Sequence, residues 1–189
     1  MNAVALYGQA SASLLLGAGV TLLPIRGHRL AGIVVTLLAW VMAAPFLCSL
    51  VGTVSFTLAQ LALLRVCAPA HAAIRGRVAA ALLVTFAVIF YPLALGLGPF
   101  DPFDLGYRPR LLLMLMVPVG TILAWRRENI LLVVIGFDLL AYGLGLFENL
   151  WSALFDPVLV IVAGIHLARS DARPEVDSSP KKQAGPGCL

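Results

Sequence analysis

One ionisable side chain stands in the middle of an otherwise apolar run. Asp138 is ninth of the eighteen residues from Ile130 to Phe147. A charge at the centre of a bilayer costs at least about 2.5 kcal/mol, so an acid kept at such a place is a functional candidate by default. Tyr142 follows four residues later, on the same face of a helix. This pair suits the uptake and release of a proton or cation, or the anchoring of a partner helix. The plainer role is that of a protonated or hydrogen-bonded structural acid, tied to Tyr142 or to a neighbouring helix. In that role Asp138→Asn leaves folding intact.

Four further acids, Asp101, Asp104, Glu148 and Asp156, lie in or beside the connections on one side of the apolar runs. Together they would form an acidic vestibule that attracts cations or a basic partner, with Asp156 above Asp138 on a polar path. Two of them have another use. Asp101-Pro102 and Asp156-Pro157 have the form of an N-cap followed by proline at the first helical position, each in a Phe-Asp-Pro triplet. A helix restarting at Pro157 makes 148–155 a short interfacial or re-entrant piece and leaves only about 18 Å of helix to Ala168. Glu148 and Asn149 read as a wetted turn.

The connection from Gly98 to Arg110 mixes aromatic rings, two acids and two bases. Asp101, Asp104, Tyr107, Arg108 and Arg110 make it the candidate for docking another protein. Its alternative is a stiff, proline-rich connector whose opposed charges pair on the membrane surface.

Searches for known catalytic constellations find none. Gly96-Leu97-Gly98-Pro99-Phe100-Asp101 has the wrong spacing for the Gly-x-Gly-Asp of intramembrane aspartyl proteases, and its acid falls in a loop. The Gly-x-Ser-Gly of rhomboid-type chemistry is absent. His28, His71 and His166 are too far apart to share a helix face, which argues against a haem pair or a zinc motif. There is no phosphate-binding loop. Cys48, Cys67 and Cys188 have neither the number nor the spacing of a disulfide framework or metal site. Lys181 and Lys182 lie in the tail, so no apolar run holds a lysine for a Schiff base. No cofactor is expected.

The elements that must hold these residues follow from composition. The chain has 189 residues, of which 61% are hydrophobic and 12% charged, and its mean hydropathy is +0.98. A water-soluble domain carries about 25% charged residues. Seven of the charges fall in 169–189, too many to leave a wet coat for the rest, so the expected solvent is a lipid bilayer. Nucleic acid is excluded as a partner, because the bases are scattered through short loops and form no stripe. The expected class is therefore an all-α, polytopic transmembrane helix bundle over 1–168, followed by a disordered cytoplasmic tail over 169–189.

A span needs about 20 mostly apolar residues. The runs are 3–23, two within the uncharged stretch 30–64 with a break near 45–52, then 78–97, 111–125, 130–147 and 151–168. The start lacks a basic region before its apolar run and reads as a retained span rather than a signal peptide. Cytoplasmic loops collect Lys and Arg. With the N-terminus outside, 11 of the 13 bases fall on the inner side, and only Arg108 and Arg110 lie outside. Treating 30–64 as one span would put the bases of 26–29 and 65–77 on opposite sides. The charges thus favour seven spans, N-out and C-in, with six as the competing count. Trp125 fits the inner interface; Tyr91, Phe100, Phe103, Tyr107 and Trp151 fit the outer one; Trp40 fits neither.

Ser13, Gly17 and Thr21 repeat every four residues, a face that lets another helix come close, within the chain or in an oligomer. Pro118, with Gly120 after it, is a kink site. Three functions are compatible with these features. The foremost is a non-enzymatic subunit or scaffold of a bacterial-type inner-membrane complex for envelope assembly or transport, with other membrane subunits as partners. The others are a small proton or cation permease using Asp138, and a lipid-modifying enzyme using the polar outer loop. No internal inverted repeat supports the permease.

Overall fold

Polar residues in this chain gather at the ends of apolar runs, and the structure uses them as helix caps. The computed structural model describes residues 3–24, 26–42, 46, 53–68, 77–107 and 109–171. Among these residues all regular structure is helical. The order is α1 (Ala3–Val20), α2 (His28–Met42), α3 (Phe56–Cys67), α4 (Arg77–Ala94), a 3-10 turn (Pro102–Gly106), α5 (Pro109–Trp125), α6 (Asn129–Gly143), α7 (Leu150–Leu154) and α8 (Pro157–Asp171). Ser55 precedes α3 in an extended conformation, and its hydroxyl accepts the Leu58 N–H at 3.2 Å. Asp101 accepts from Phe103 N–H (2.8 Å), Asn149 from Trp151 N–H (2.8 Å) and Asp156 from Leu159 N–H (2.6 Å). Each bond satisfies an amide that the first helical turn leaves without an internal partner.

The uncharged stretch 30–64 contains two helices, α2 and α3. The break expected at 45–52 lies, apart from Phe46, outside the described residues. Two expected spans change. The run 130–147 stops being helical at Gly143 and turns at Gly145, where φ is 75°. The run 151–168 is interrupted at Phe155 and Asp156 and divides into α7 and α8. The cause is Pro157. It has no N–H to continue a helix, and its ring disfavours helical backbone at the residue before it. Asp101-Pro102 likewise opens a helical segment, but a single 3-10 stretch. Helix α8 runs to Asp171, past the expected end at Ala168. The tail from 172, with Lys181, Lys182 and Cys188, lies outside the described residues, as do His71, Cys48 and most of the loop 65–77.

By length and composition two described segments, Ala3–Val20 and Leu150–Arg169, are long and apolar enough to cross a membrane. The other apolar helices are shorter; the 15 residues of α6 reach about 22 Å at the usual rise.

Helix α1 packs on α2 and α3, α4 packs on α8, and α6 packs on α3, α5 and α7. The α1–α2 contact uses the small-residue face. A Cβ added to Gly17 would overlap Thr36 Oγ1 and come 2.6 Å from the Gly32 carbonyl oxygen, and one added to Gly32 would stand 2.6 Å from Thr21 Cγ2. The hydroxyls of Ser11, Ser13 and Thr21 donate to the carbonyls of Gly8, Gln9 and Ala18 in their own helix. Polar side chains can therefore be buried here with their donors satisfied.

The interior is built mostly from small side chains. Nine of the 18 buried apolar residues are alanine, whereas 38 large apolar side chains are exposed among the described residues. Trp40 and Trp125 are exposed, but Trp151, expected at an interface, is buried in a cluster with Phe90, Leu112, Leu150 and Ala153.

Replacing Gly17 with valine forces α1 and α2 apart. Overpacking of this kind costs about 1–3 kcal/mol, so thermal unfolding followed by circular dichroism should begin at a clearly lower temperature. Gly19→Ala is the control: its added methyl group meets nothing within 4 Å, and its melting point should hold or rise slightly.

Candidate functional site

Helix α3 carries two polar side chains three residues apart in an apolar sequence, Thr57 and Gln60. At that spacing they share a face, and the face meets α6. The Thr57 hydroxyl donates to Asp138 Oδ2 at 2.7 Å, and Gln60 Nε2 donates to Asp138 Oδ1 at 2.8 Å. The second Gln60 N–H goes to the Val134 carbonyl at 3.1 Å, so both amide protons are used. Asp138 has 0% exposure and is the one acid or base among the buried residues described. Each of its oxygens therefore has a short, neutral donor from the neighbouring helix. Tyr142, the partner expected from its position one turn on, instead packs against the Phe90–Trp151 cluster.

A second carboxylate holds the start of the same helix. Asp156 Oδ2 accepts the Ser55 backbone N–H at 2.6 Å, while Oδ1 caps α8. Tyr7, from α1, donates its hydroxyl to the Val54 carbonyl at 2.8 Å. Its ring lies 5.5 Å from Phe56 and 5.3 Å from Phe147. Residues 54–60 are thus gripped by α1, α6 and the α7–α8 break. Asp156 is engaged by two backbone amides.

The connection from Gly98 to Arg110 is latched to α7 and the residue before it. Trp151 Nε1 donates to the Pro102 carbonyl at 2.9 Å, and Asn149 Nδ2 donates to the Phe103 carbonyl at 3.1 Å. Gly106 lies so close that a Cβ there would overlap Asn149 Oδ1. Asn149, read from sequence as part of a wetted turn with Glu148, is buried, while Glu148 is exposed. Asp101, Asp104, Tyr107 and Arg110 are exposed, and Tyr107 packs edge-on to Phe103 at 6.0 Å. Arg108 lies outside the described residues.

The structure therefore brings Asp138 together with Thr57 and Gln60, and Asp156 with Ser55, while Asp101, Asp104 and Arg110 are exposed. Thr57, Gln60, Ser55 and Tyr7 do not stand out in the sequence, because each is uncharged at neutral pH. The available signal was the i, i+3 pair of hydrogen-bonding side chains inside the apolar run of α3. Beside this site runs a groove of about 340 Å³, lined by Gln60 and Leu64 of α3 and by Asn129, Val133, Val134 and Phe137 of α6.

Compared with known proteins, the chain matches no family model, no curated protein and no solved structure.

Asp138→Ala leaves the Thr57 hydroxyl and the Gln60 amide facing apolar atoms. An unmet buried donor costs about 1–3 kcal/mol, so this variant should lose most of its thermal stability. Asp138→Asn keeps an acceptor for Thr57 and should lose clearly less; equal losses in the two variants would contradict the bonding described. Asn149→Ala removes both a cap and a latch and should speed proteolytic cleavage within 98–107 while the rest of the chain stays intact.

Proposed function

We propose that this chain is a multi-spanning membrane protein that acts as a non-enzymatic subunit or scaffold within a bacterial-type inner-membrane complex. The observation that carries the membrane reading is the distribution of side chains. Large apolar groups lie outside on α1, α2, α4, α5, α6 and α8, and alanine fills much of the inside. In water such a surface would be prone to association, since contiguous exposed apolar patches of this extent are uncommon on monomers. In hydrocarbon the same surface needs no cover, and small residues at helix contacts give the close packing that lipid favours. Seven apolar runs, N-out and C-in, agree with the distribution of bases.

The scaffold reading is supported by where the polar atoms go. The two carboxylates inside the bundle are engaged in fastening α3 to α6 and α8. The exposed residues Asp101, Asp104, Tyr107 and Arg110 sit on a connection held rigid by Trp151 and Asn149, a suitable platform for another subunit. One observation favours a second reading. Gln60 both bonds Asp138 and lines an open groove, which would connect a buried acid to the surface in a small proton or cation permease.

The chain should stay in membranes through alkaline carbonate extraction. In a background without the native cysteines, Arg110→Cys should react with an impermeant maleimide from outside, and Arg126→Cys only after permeabilisation. Purified in mild detergent, the tagged protein should bring down a stoichiometric membrane partner; recovery as a lone monomer would refute the scaffold role. Proton flux in liposomes that is abolished by Asp138→Asn in a folded protein would establish the permease instead.

A further inference from the structure

The Thr57 hydroxyl stands between two acceptors. Besides Asp138 Oδ2 at 2.7 Å, it lies 3.5 Å from the carbonyl oxygen of Ala153 on α7. Ala153 has 0% exposure. Four residues beyond it, where a continuing helix would supply an N–H, the chain has Pro157, which carries none. Among the described residues the donors at this point are the Thr57 O–H and the two Gln60 N–H groups. The acceptors are both Asp138 oxygens and the carbonyls of Ala153 and Val134. With Asp138 as a carboxylate the group is one proton short, because the Thr57 O–H serves either Asp138 or Ala153. A proton added at Asp138 Oδ2 removes the shortfall. The acid O–H then donates to Thr57 Oγ1, the Thr57 O–H turns to the Ala153 carbonyl, and Gln60 keeps its bond to Oδ1. A hydroxyl can both donate and accept, and it rotates to suit its partners. Ala153 belongs to the short helix that starts from Asn149 and contains Trp151, the two residues that hold 102 and 103 of the connection 98–107.

We propose that Asp138 is a reversible proton-binding site and that its proton, acting through the Thr57 hydroxyl on Ala153, tightens α7 and the latch on the connection 98–107. The step is a simple protonation. Solvent hydronium gives up the proton, an O–H bond forms at Oδ2, the carboxylate charge is neutralised, and nothing is oxidised or reduced. Hydroxide reverses it. The hydrogen bonds stand by themselves; the consequence for an attached subunit rests on the scaffold reading. On the elements packed against α6, the titratable groups are Arg65 and Cys67 near the end of α3, and Arg110, exposed at the start of α5; α7 has none. Tyr142, on the helix of Asp138 itself, packs against the Phe90–Trp151 cluster. Tyr7 and Asp156 meet the start of α3 and are bonded to the Val54 carbonyl and to the Ser55 and Leu159 amides. Among the described residues none of these is hydrogen-bonded to Asp138, so its occupancy follows the pH rather than a paired base.

The test combines two readings on the full-length protein in detergent across the pH range in which it stays folded. Infrared spectroscopy, with the Asp138→Asn spectrum subtracted, should show the carbonyl band of a buried protonated acid that fades as the pH rises. Hydrogen–deuterium exchange within 98–107, corrected for the intrinsic effect of pH, should quicken about fivefold as that band fades, the weight of one ordinary hydrogen bond. Asp138→Asn puts an NH2 where the acid O–H stands and should keep the slow exchange at every pH. Thr57→Ser keeps the hydroxyl and should behave as the unaltered protein. Thr57→Val removes it and should make exchange within 98–107 insensitive to pH, which decides the matter if Asp138→Asn does not fold. A band absent at every pH, or constant at every pH, overturns the proton site. Exchange that does not change as the band fades, or that changes equally in Thr57→Val, overturns the link to the latch. The scaffold reading is judged separately by co-purification of a partner: its failure leaves the proton site standing, and a titration-silent Asp138 leaves the scaffold reading standing.

Discussion

A carboxyl group with no exposed surface must find its hydrogen bonds inside the protein, and Asp138 finds them on α3. That requirement sets the register of the two helices. Thr57 and Gln60 can both reach Asp138 only if one face of α3 lies along α6, and the same alignment puts the second Gln60 N–H on the Val134 carbonyl. Apolar contacts alone would tolerate a shift along the helix axes, because dispersion and area burial have no direction. A hydrogen-bonded acid does not, since a displaced donor leaves a buried polar atom unmet.

The rest of the bundle follows from how α3 is held. Asp156 belongs to the interruption between α7 and α8, and it uses one oxygen for its own helix and the other for the Ser55 amide. The interruption that shortens the last apolar run thereby creates the acceptor that fixes the start of α3. Tyr7 ties α1 to the same point. On the far side, α1 and α2 approach through Gly17 and Gly32, where any side chain would collide. The interior is thin in apolar volume, so directional bonds and close backbone contact matter more here than in a domain with a large leucine core.

This economy bears on function. Among the described residues the two buried or half-buried carboxylates, Asp138 and Asp156, are engaged by neutral donors, and the latched connection 98–107 presents exposed charges and a tyrosine. The proposed scaffold role rests on these two features.

Much of the helical layout was legible from one-dimensional features. Pro102 and Pro157 after aspartates signal helical starts, the charge distribution demands two helices in 30–64, and the Ser13-Gly17-Thr21 repeat marks a close helix contact. These are local effects of capping, backbone geometry and side-chain size. The partner of Asp138 was not legible. Helical spacing points to Tyr142, and only the packing of α6 against α3 shows that Thr57 and Gln60, some eighty positions earlier, take its oxygens. The same holds for Asn149 and Trp151, whose polar side chains read as surface until the 3-10 turn folds over them. Helix formation and capping depend on neighbours within about four residues, so the chain order determined them. The choice of hydrogen-bond partner for a buried group depends on which distant atom arrives within about 3 Å, and that was decided by tertiary structure alone.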